Sequence, residues 1–145
     1  MAGVRRGARA VLRFYVPLLF LLVIVQIFLA GEGIFGIKKG PELDDQKTLD
    51  PHRVLGFFLT EPLALLLLIV ALLAWLPERK LRRISIALPF LIFLQAPLSW
   101  GGRWSGAFHP VNAFLVLGLL GWFSGQLWRR HRAMGEHAKA APAVS

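Results

Sequence analysis

The sequence predicts an all-α, polytopic membrane protein: a bundle of four transmembrane helices in which one helical hairpin could be duplicated. A helix of about 20 apolar residues crosses the hydrocarbon core of a bilayer, and four stretches are near that length: residues 12–30, 54–76, 84–99 and 110–128. Hydrophobic residues make up 56% of the chain, which is more than an ordinary soluble domain contains. Short basic connections separate the stretches, so residues 12–128 are predicted to form one transmembrane domain.

A basic segment, residues 1–11, precedes the first span and is expected in the cytoplasm. This segment and the apolar run from Phe14 to Ala30 also resemble the start of a secretory signal peptide. The run is longer than the core of a signal peptide, which has about 7–15 residues, and cleavage after Ala30 would place Phe28 where a small residue is needed. We therefore predict an uncleaved helix over 12–30.

The connection between spans one and two is predicted to be a solvated loop. Its glycines make its first half pliable, and the spacing of its acidic residues matches no calcium-binding loop. The glycines are Gly31, Gly33, Gly36 and Gly40; the acids are Glu42, Asp44, Asp45 and Asp50, offset by Lys38, Lys39 and Lys47.

Prolines mark the predicted starts of the second and fourth helices. Asp50 can cap span two while Pro51 fits its first turn. Pro110 likewise fits the first helical position of span four, directly after His109. Tryptophans near the span ends are expected to anchor the protein at the membrane interface; they are Trp75, Trp100, Trp104, Trp122 and Trp128.

Charge placement predicts the orientation. Twelve of the 17 Lys and Arg residues lie before span one, between spans two and three, or after span four. By the positive-inside rule both termini are cytoplasmic, and the tail, residues 129–145, is expected to be disordered. The net charge of +9 therefore indicates contact with the lipid bilayer and its anionic headgroups, and not with nucleic acid.

Enzymatic signals are weak in this sequence. The chain has no Cys, which excludes disulfides, thiolate metal sites and Cys nucleophiles. It contains no Gly-rich phosphate loop and no recognisable nucleophile turn. We lean towards a protein without enzymatic activity.

Two segments of the chain repeat the same residues. Gln26 near the end of span one recurs as Gln95 near the end of span three. The sequence from His52 to Phe57 shares His, Val and Phe, at the same offsets, with the sequence from His109 to Phe114. Both halves cross the membrane in the same order, so a duplicated hairpin would be a parallel repeat.

The same motifs carry a resemblance. Val25-Gln26-Ile27-Phe28-Leu29-Ala30-Gly31, His52-Arg53-Val54-Leu55-Gly56 and His109-Pro110-Val111-Asn112-Ala113 resemble a family of small, uncharacterised bacterial four-helix membrane proteins that is defined only as a domain of unknown function. The resemblance covers about residues 12–128. It implies a membrane location and a fold, and it implies no activity.

Polar residues at membrane depth are costly and usually face the interior of a bundle. Those of this chain all map to the outer half of the bilayer, which predicts a shared polar pocket there. The alternative is that Gln26, Gln95 and Asn112 only bond neighbouring helices. The polar residues are Gln26, His52, Thr60, Glu61, Gln95, His109 and Asn112.

His52 and His109 lie at similar depth on two helices and could bind one haem iron from both sides. Gly56, one turn below His52, could leave space for the flat macrocycle, and Arg53 or Arg103 could pair with the haem propionates. No metal other than this haem iron is expected. The alternative is that both His are ordinary interfacial residues at helix starts.

Glu61 is the acid embedded in a span. It follows His52 by nine residues, about 13 Å along the helix and about 180° around it, so the two would line one narrow site only if the helix were distorted. Glu61 could move protons or hold a cation. We favour a structural role, in which neutral Glu61 bonds Gln26, Gln95 or carbonyls freed by Pro62.

Three functional hypotheses follow. The leading one is a non-enzymatic protein of a bacterial-type cytoplasmic membrane, acting as a subunit or accessory of a larger membrane complex or as a homo-oligomer. The first alternative is a haem-b electron carrier that uses His52 and His109, and the second is a proton or small-solute pathway through Glu61. Visible colour that is lost with His52→Ala or His109→Ala would indicate haem. Flux in liposomes that is lost with Glu61→Gln would indicate a pathway, and neither effect is expected of a structural subunit.

Overall fold

The computed structural model describes residues 1–36 and 46–140, and within these ranges the chain is helical apart from short turns. No β-strand occurs in the described part, so the prediction of an all-α fold is confirmed. The elements are α1 (Ala2–Gly36), a 3₁₀ turn (Gln46–Leu49), α2 (Asp50–Phe58), a π-helical turn (Leu59–Leu63), α3 (Ala64–Ala74), α4 (Arg79–Phe93), α5 (Gln95–Trp100) and α6 (Gly102–Ala140).

Four helical segments are long and apolar enough to cross a membrane: Ala2–Gly36, Lys47–Ala74, Arg79–Trp100 and Gly102–Ala133. The second segment joins α2, the π-helical turn and α3, and the third joins α4 and α5. These segments confirm the prediction of four membrane helices. They match the predicted order of spans; three of them extend beyond the predicted span at both ends, and the second begins earlier and ends at Ala74, two residues before the predicted end.

Helix α1 has 35 residues and is therefore about 50 Å long, whereas the hydrocarbon core is about 30 Å thick. Helix α6 continues to Ala140, through most of the tail that we expected to be disordered. Residues 141–145 lie outside the described residues. So do Lys38, Lys39, Gly40, Glu42, Asp44 and Asp45 of the predicted solvated loop.

Two helix starts differ from the predictions. Asp50 is the first residue of α2, Leu49 is the cap residue, and the Asp50 carboxylate pairs with Arg53 at 3.2 Å. Helix α6 begins at Gly102, which has a positive φ of 81°, so Pro110 lies inside the helix and not at its first position. Pro110 is exposed, and a proline ring on an outward face fits within a membrane helix whose neighbours satisfy the freed backbone groups.

The four segments close into one bundle. Helix α1 packs against α3 and α6, and α4 packs against both α3 and α6. The core side chains Leu19, Leu67, Leu88, Leu120 and Phe123 are fully buried. Large apolar side chains also cover the outer surface, which an aqueous protein rarely tolerates and which lipid contact explains; examples are Phe14, Leu65, Leu72, Phe90 and Leu115.

Arg9 ties the beginning of α1 to the end of α3. Its Nε donates to the Ala74 carbonyl oxygen at 2.9 Å, and its Nη2 donates to the Trp75 carbonyl oxygen at 3.2 Å. Trp75 has a φ of 37°, in the left-handed region that ends many helices. The guanidinium therefore satisfies carbonyls that the end of α3 leaves without helical partners.

Two further arginines converge on the same turn. Arg82 donates to the Leu76 carbonyl oxygen at 3.3 Å, and Arg130 of α6 forms an ion pair with Glu78. The start of α1, the turn between α3 and α4, and the last part of α6 thus share one end of the bundle. We call it the basic end, and we call the opposite end, which carries His52 and His109, the histidine end.

Candidate functional site

A cavity of about 680 Å³ opens at the histidine end, within the size range of small-molecule sites. Its lining comes mainly from α1, α2, α5 and α6. Helix α2 packs against α1, and α6 packs against α5. Eight of the ten residues that the sequence singled out for a site line it. They are Gln26, His52, Arg53, Gly56, Thr60, Glu61, Gln95 and His109.

The two imidazoles meet across this cavity. The ring centroids of His52 and His109 are 6.4 Å apart and the ring planes are inclined by 72°. Both residues are partly buried. His52 sits in the first turn of α2, and His109 sits well inside α6 because that helix begins at Gly102.

Each imidazole is held in place by the preceding helix. The Nδ1 of His52 lies 3.1 Å from the Gln26 carbonyl oxygen, and the Nδ1 of His109 lies 3.1 Å from the Gln95 carbonyl oxygen. A carbonyl oxygen only accepts, so both Nδ1 atoms carry hydrogen. In a neutral imidazole with this hydrogen bond, the lone pair is on Nε2, which is then the atom that can bind a metal.

The two Gln side chains bond the same helices. Gln26 Nε2 donates to the His52 carbonyl oxygen at 2.9 Å and lies 3.4 Å from His52 Nε2. With its amide oriented so that nitrogen faces the carbonyl, Gln95 donates to the His109 carbonyl oxygen at 3.0 Å and accepts from Ala113 N–H at 3.1 Å. The glutamines therefore line the cavity and also link neighbouring helices.

The repeated contacts support a duplicated hairpin. In both halves a Gln carbonyl oxygen accepts from a His Nδ1, and the Gln side chain reaches back to the carbonyl of the same His. The halves differ in the bonding of the Gln side-chain oxygen. Gln26 Oε1 is buried and has no hydrogen-bond partner among the described residues, whereas the oxygen of Gln95 accepts a bond.

Gly56 makes room for Gln26. A Cβ at Gly56 would lie 2.9 Å from Gln26 Nε2, so a side chain there would displace the amide. We expected Gly56 to leave space for a macrocycle. In the structure the Gln26 amide occupies that space, and the equivalent position of the second half is Ala113.

Glu61 lines the cavity and is exposed. It lies in the π-helical turn Leu59–Leu63, which adds one residue to the turn and shifts the rotation by up to about 100° relative to a regular α-helix. Pro62, which lacks an N–H, lies in the same turn. Thr60 donates from Oγ1 to the Gly56 carbonyl oxygen at 2.9 Å. Glu61 forms no ion pair within the described ranges.

Two of the singled-out residues lie outside the cavity lining. Asn112 is buried and donates from Nδ2 to the Leu91 carbonyl oxygen at 2.8 Å, which links α6 to α4. Arg103 is exposed in the first turn of α6. Arg53 lines the cavity and pairs with Asp50.

Phe57 and Phe114 also line the cavity, although the sequence did not predict them as site residues. The signal was present, because these are the phenylalanines at matching offsets from His52 and His109 in the repeat. Because apolar residues are common in membrane helices, a phenylalanine shared by two segments is a weak signal. Their common place in the cavity lining became visible only in three dimensions.

The donor set limits which metals the site suits. Within residues 1–36 and 46–140 no group of three or more His, Asp or Glu side chains could hold a metal ion. A bare zinc site takes at least three protein ligands. The two imidazoles thus suit a metal that brings its other ligands with it.

The sequence profile of one protein family matches residues 26–99, which is half of the chain. The chain belongs to the family of unknown function DUF6220. This confirms the predicted resemblance to a family defined as a domain of unknown function. The DUF6220 match begins at Gln26 and includes His52 and Gln95, and His109 lies beyond it. No curated protein and no solved structure matches the chain.

Proposed function

We propose that this DUF6220 protein is a non-enzymatic haem-b protein in which His52 and His109 bind one iron from opposite faces of the macrocycle. The observation that carries the proposal is the pair of anchored imidazoles. Each uses Nδ1–H on a backbone carbonyl and keeps the Nε2 lone pair. In a metal-binding His, the ring nitrogen that does not bind the metal typically donates its hydrogen to another group. This bond fixes the tautomer and the ring orientation.

The spacing of the rings agrees with a shared iron. A metal–nitrogen bond is about 2 Å long, so two imidazoles on one iron have ring centres about 6 Å apart. The observed separation of His52 and His109 is 6.4 Å. Gln26 Nε2 lies 3.4 Å from His52 Nε2, so the Gln26 amide would have to move for His52 to bind iron.

The remaining chemistry of the cavity suits haem better than a bare ion. Haem supplies four nitrogens to its iron and lacks only two axial ligands. Phe57 and Phe114 contribute apolar surface to the same cavity lining. Arg53, at the cavity lining, is placed to bind a propionate through its planar guanidinium; Arg103 is not part of this lining.

Haem held by His52 and His109 would supply one-electron chemistry at its iron and would leave no open position for a substrate. This agrees with the expectation of a non-enzymatic role. The expectation that the protein acts as a subunit or accessory of a larger complex, or as a homo-oligomer, stays a prediction.

We also propose that the basic end faces the cytoplasm, in a bacterial-type cytoplasmic membrane. The support is the sorting of charge, since twelve of the 17 Lys and Arg residues belong to segments of that end. The haem then lies in the half of the bilayer away from the cytoplasm. Because the chain has no Cys, single Cys residues introduced at either end and labelled in intact cells test this orientation.

A pathway for protons or solutes through the bundle finds less support. Leu19, Leu67 and Leu120 are fully buried between the cavity and the basic end. Within the described part of the chain, this close-packed apolar layer separates the cavity from the basic end and disfavours a polar route. The cavity is therefore better suited to hold a ligand than to conduct one.

The experiment is a reduced-minus-oxidised visible spectrum of protein purified in mild detergent from cells that make haem. We expect a low-spin b-type spectrum and one haem per chain. His52→Ala and His109→Ala should each abolish the low-spin signal. His131→Ala is the matched control, because His131 is exposed and lies near the basic end, and it should leave the spectrum unchanged. Folded wild-type protein without haem, or a spectrum that survives both substitutions, would refute the proposal.

A further inference from the structure

We propose that the basic end contains a binding site for one anionic phospholipid, whose headgroup phosphate is bound by the Arg13 guanidinium between α1 and α6. The charge of the basic end predicts general contact with anionic headgroups. The proposed site is a defined place that selects an anionic lipid over a zwitterionic one. It lies at the opposite end of the bundle from the histidine cavity, so it is independent of the haem proposal.

The Arg13 guanidinium lies against aromatic rings of two helices. Its Cζ is 5.5 Å from the ring centroid of Phe14 and 5.6 Å from that of Trp128. The two rings also contact each other edge to face, with their centroids 5.5 Å apart. Cation–π contacts of this length stabilise the positive charge, but the rings supply no oxygen acceptor for the guanidinium N–H groups.

Arg13 lacks such an acceptor within residues 1–36 and 46–140. It forms no ion pair there, and its buried Nε has no hydrogen-bond partner. Arg9, one turn earlier, differs because it donates to two carbonyl oxygens at the end of α3. A guanidinium carries five N–H donors and keeps its charge in proteins. A ligand that brings both oxygen acceptors and negative charge would therefore satisfy Arg13.

The depth of Arg13 indicates where that ligand comes from. Arg9 bonds the carbonyls that end α3, and Arg13 follows it by four residues, about 6 Å further along the axis of α1. Arg13 thus lies at the edge of the apolar part of the bundle, where a charge without a partner is costly. The phosphate of a lipid headgroup is the anion that a membrane offers at this depth.

The surroundings of Arg13 attract an anion. Twelve of the 17 Lys and Arg residues belong to the basic end, whereas its acids are Glu78 and Glu136. Glu78 is already paired with Arg130. Arg6 is exposed and precedes Arg13 by two helical turns on the same face of α1, so it adds positive charge on the aqueous side of the site.

Apolar surface next to Arg13 favours a lipid over a soluble anion. Phe14, Leu18 and Leu21 are exposed and share one face of α1, because they are four and three residues apart. An acyl chain can lie along this face while the phosphate accepts two parallel hydrogen bonds from the guanidinium. Trp128 adds an amphipathic ring of the kind that prefers the headgroup level.

The test is a titration of the delipidated protein in mild detergent with phosphatidylglycerol and, separately, with phosphatidylcholine, in which native mass spectrometry counts the bound lipids. We expect one tightly bound phosphatidylglycerol per chain and much weaker binding of phosphatidylcholine. Arg13→Gln should weaken the binding of phosphatidylglycerol about tenfold, the effect of losing one charge-assisted contact. Arg13→Lys should fall between the two, because Lys keeps the charge without the planar fork.

Arg83→Gln is the matched control. It removes one positive charge from an exposed position of the same end and should weaken binding by less than about twofold, as expected of a solvent-screened charge. Equal affinity for the two lipids, or equal losses in Arg13→Gln and Arg83→Gln, would show diffuse attraction and overturn the proposal. Displacement of the lipid by an equal concentration of soluble glycerol phosphate would also overturn it, because the site would then bind a free anion.

Fluorescence of Trp128 decides the question if Arg13→Gln fails to fold. The Trp128 signal is the difference between wild type and Trp128→Phe, measured in phosphatidylcholine vesicles that contain a small fraction of lipid with brominated acyl chains. Brominated phosphatidylglycerol should quench this signal more than brominated phosphatidylcholine does, and equal quenching would refute the site. Neither measurement involves haem, so each result holds whatever the outcome for the haem proposal.

Discussion

Replacing Gly56 with Ala should weaken the fold although Ala is the better helix former. A Cβ at this position would lie 2.9 Å from Gln26 Nε2. The Gln26 amide would therefore have to leave the place from which it donates to the His52 carbonyl oxygen at 2.9 Å. Its Oε1 is already buried without a partner, so the displaced side chain would have two unsatisfied polar groups.

The size of the effect follows from two opposing contributions. A buried polar group that loses its hydrogen bond costs about 1–3 kcal/mol. Gly to Ala in a helix interior stabilises by about 1 kcal/mol. We expect Gly56→Ala to lower the free energy of unfolding by about 1 kcal/mol, the balance of these two contributions. Gly118→Ala is the matched control, because a Cβ there meets nothing within 4 Å, and it should raise the free energy of unfolding.

The assay is thermal or denaturant unfolding in mild detergent, arranged as a double-mutant cycle with Gln26→Ala. In the Gln26→Ala background the clash is absent, so Gly56→Ala should become as favourable as Gly118→Ala. The coupling between the two sites should be about 2 kcal/mol, which is large for a single contact. If Gly56→Ala stabilises the wild-type protein as much as Gly118→Ala does, the Gln26 amide does not pack against Gly56 and the explanation is wrong.

Three further substitutions test the packing and hydrogen bonds of the bundle, each by unfolding in mild detergent. Arg9→Ala removes two bonds to carbonyls at the end of α3 and should lower the free energy of unfolding by about 1–3 kcal/mol. Arg5→Ala, at an exposed position, should lower it little. Equal effects of the two substitutions would contradict the capping role. Asn112→Ala removes a buried bond to a carbonyl of α4 and should cost about 1–2 kcal/mol; an unchanged midpoint would show that this bond does not stabilise the bundle. Phe123→Ala empties a fully buried site and should cost about 3–5 kcal/mol, and Phe114→Ala, 63% exposed, should cost much less.

Much of the candidate site was predictable from residue type and depth. Gln26, His52, Gln95 and His109 stood out because polar groups within apolar spans are costly and must find partners inside a bundle. The repeat suggested that the two Gln and the two His do the same thing in each half. The structure brings all four to one cavity. It adds which atom of each His bonds which carbonyl, a detail that backbone geometry alone determines.

Other parts of the site were not predictable from periodicity. Glu61 falls opposite His52 on a regular helix, yet in the structure it lies in a π-helical turn and lines the cavity. Asn112 is polar and buried like several residues of the site, but its side chain bonds α4 and does not line the cavity. Pro110 fits a helix start as well as an exposed position within a helix, so the local signal could not show that α6 begins at Gly102.

The sequence by itself determined that the chain forms four apolar helices, because hydrophobic length and composition act residue by residue and need no knowledge of neighbours. It also placed polar residues at one depth and basic residues at the span ends. The tertiary structure alone decided which of those polar residues meet. Helix rotation and the π-helical turn set the direction of each side chain, and these depend on how all four segments pack. The 6.4 Å approach of the two imidazoles is a consequence of that packing.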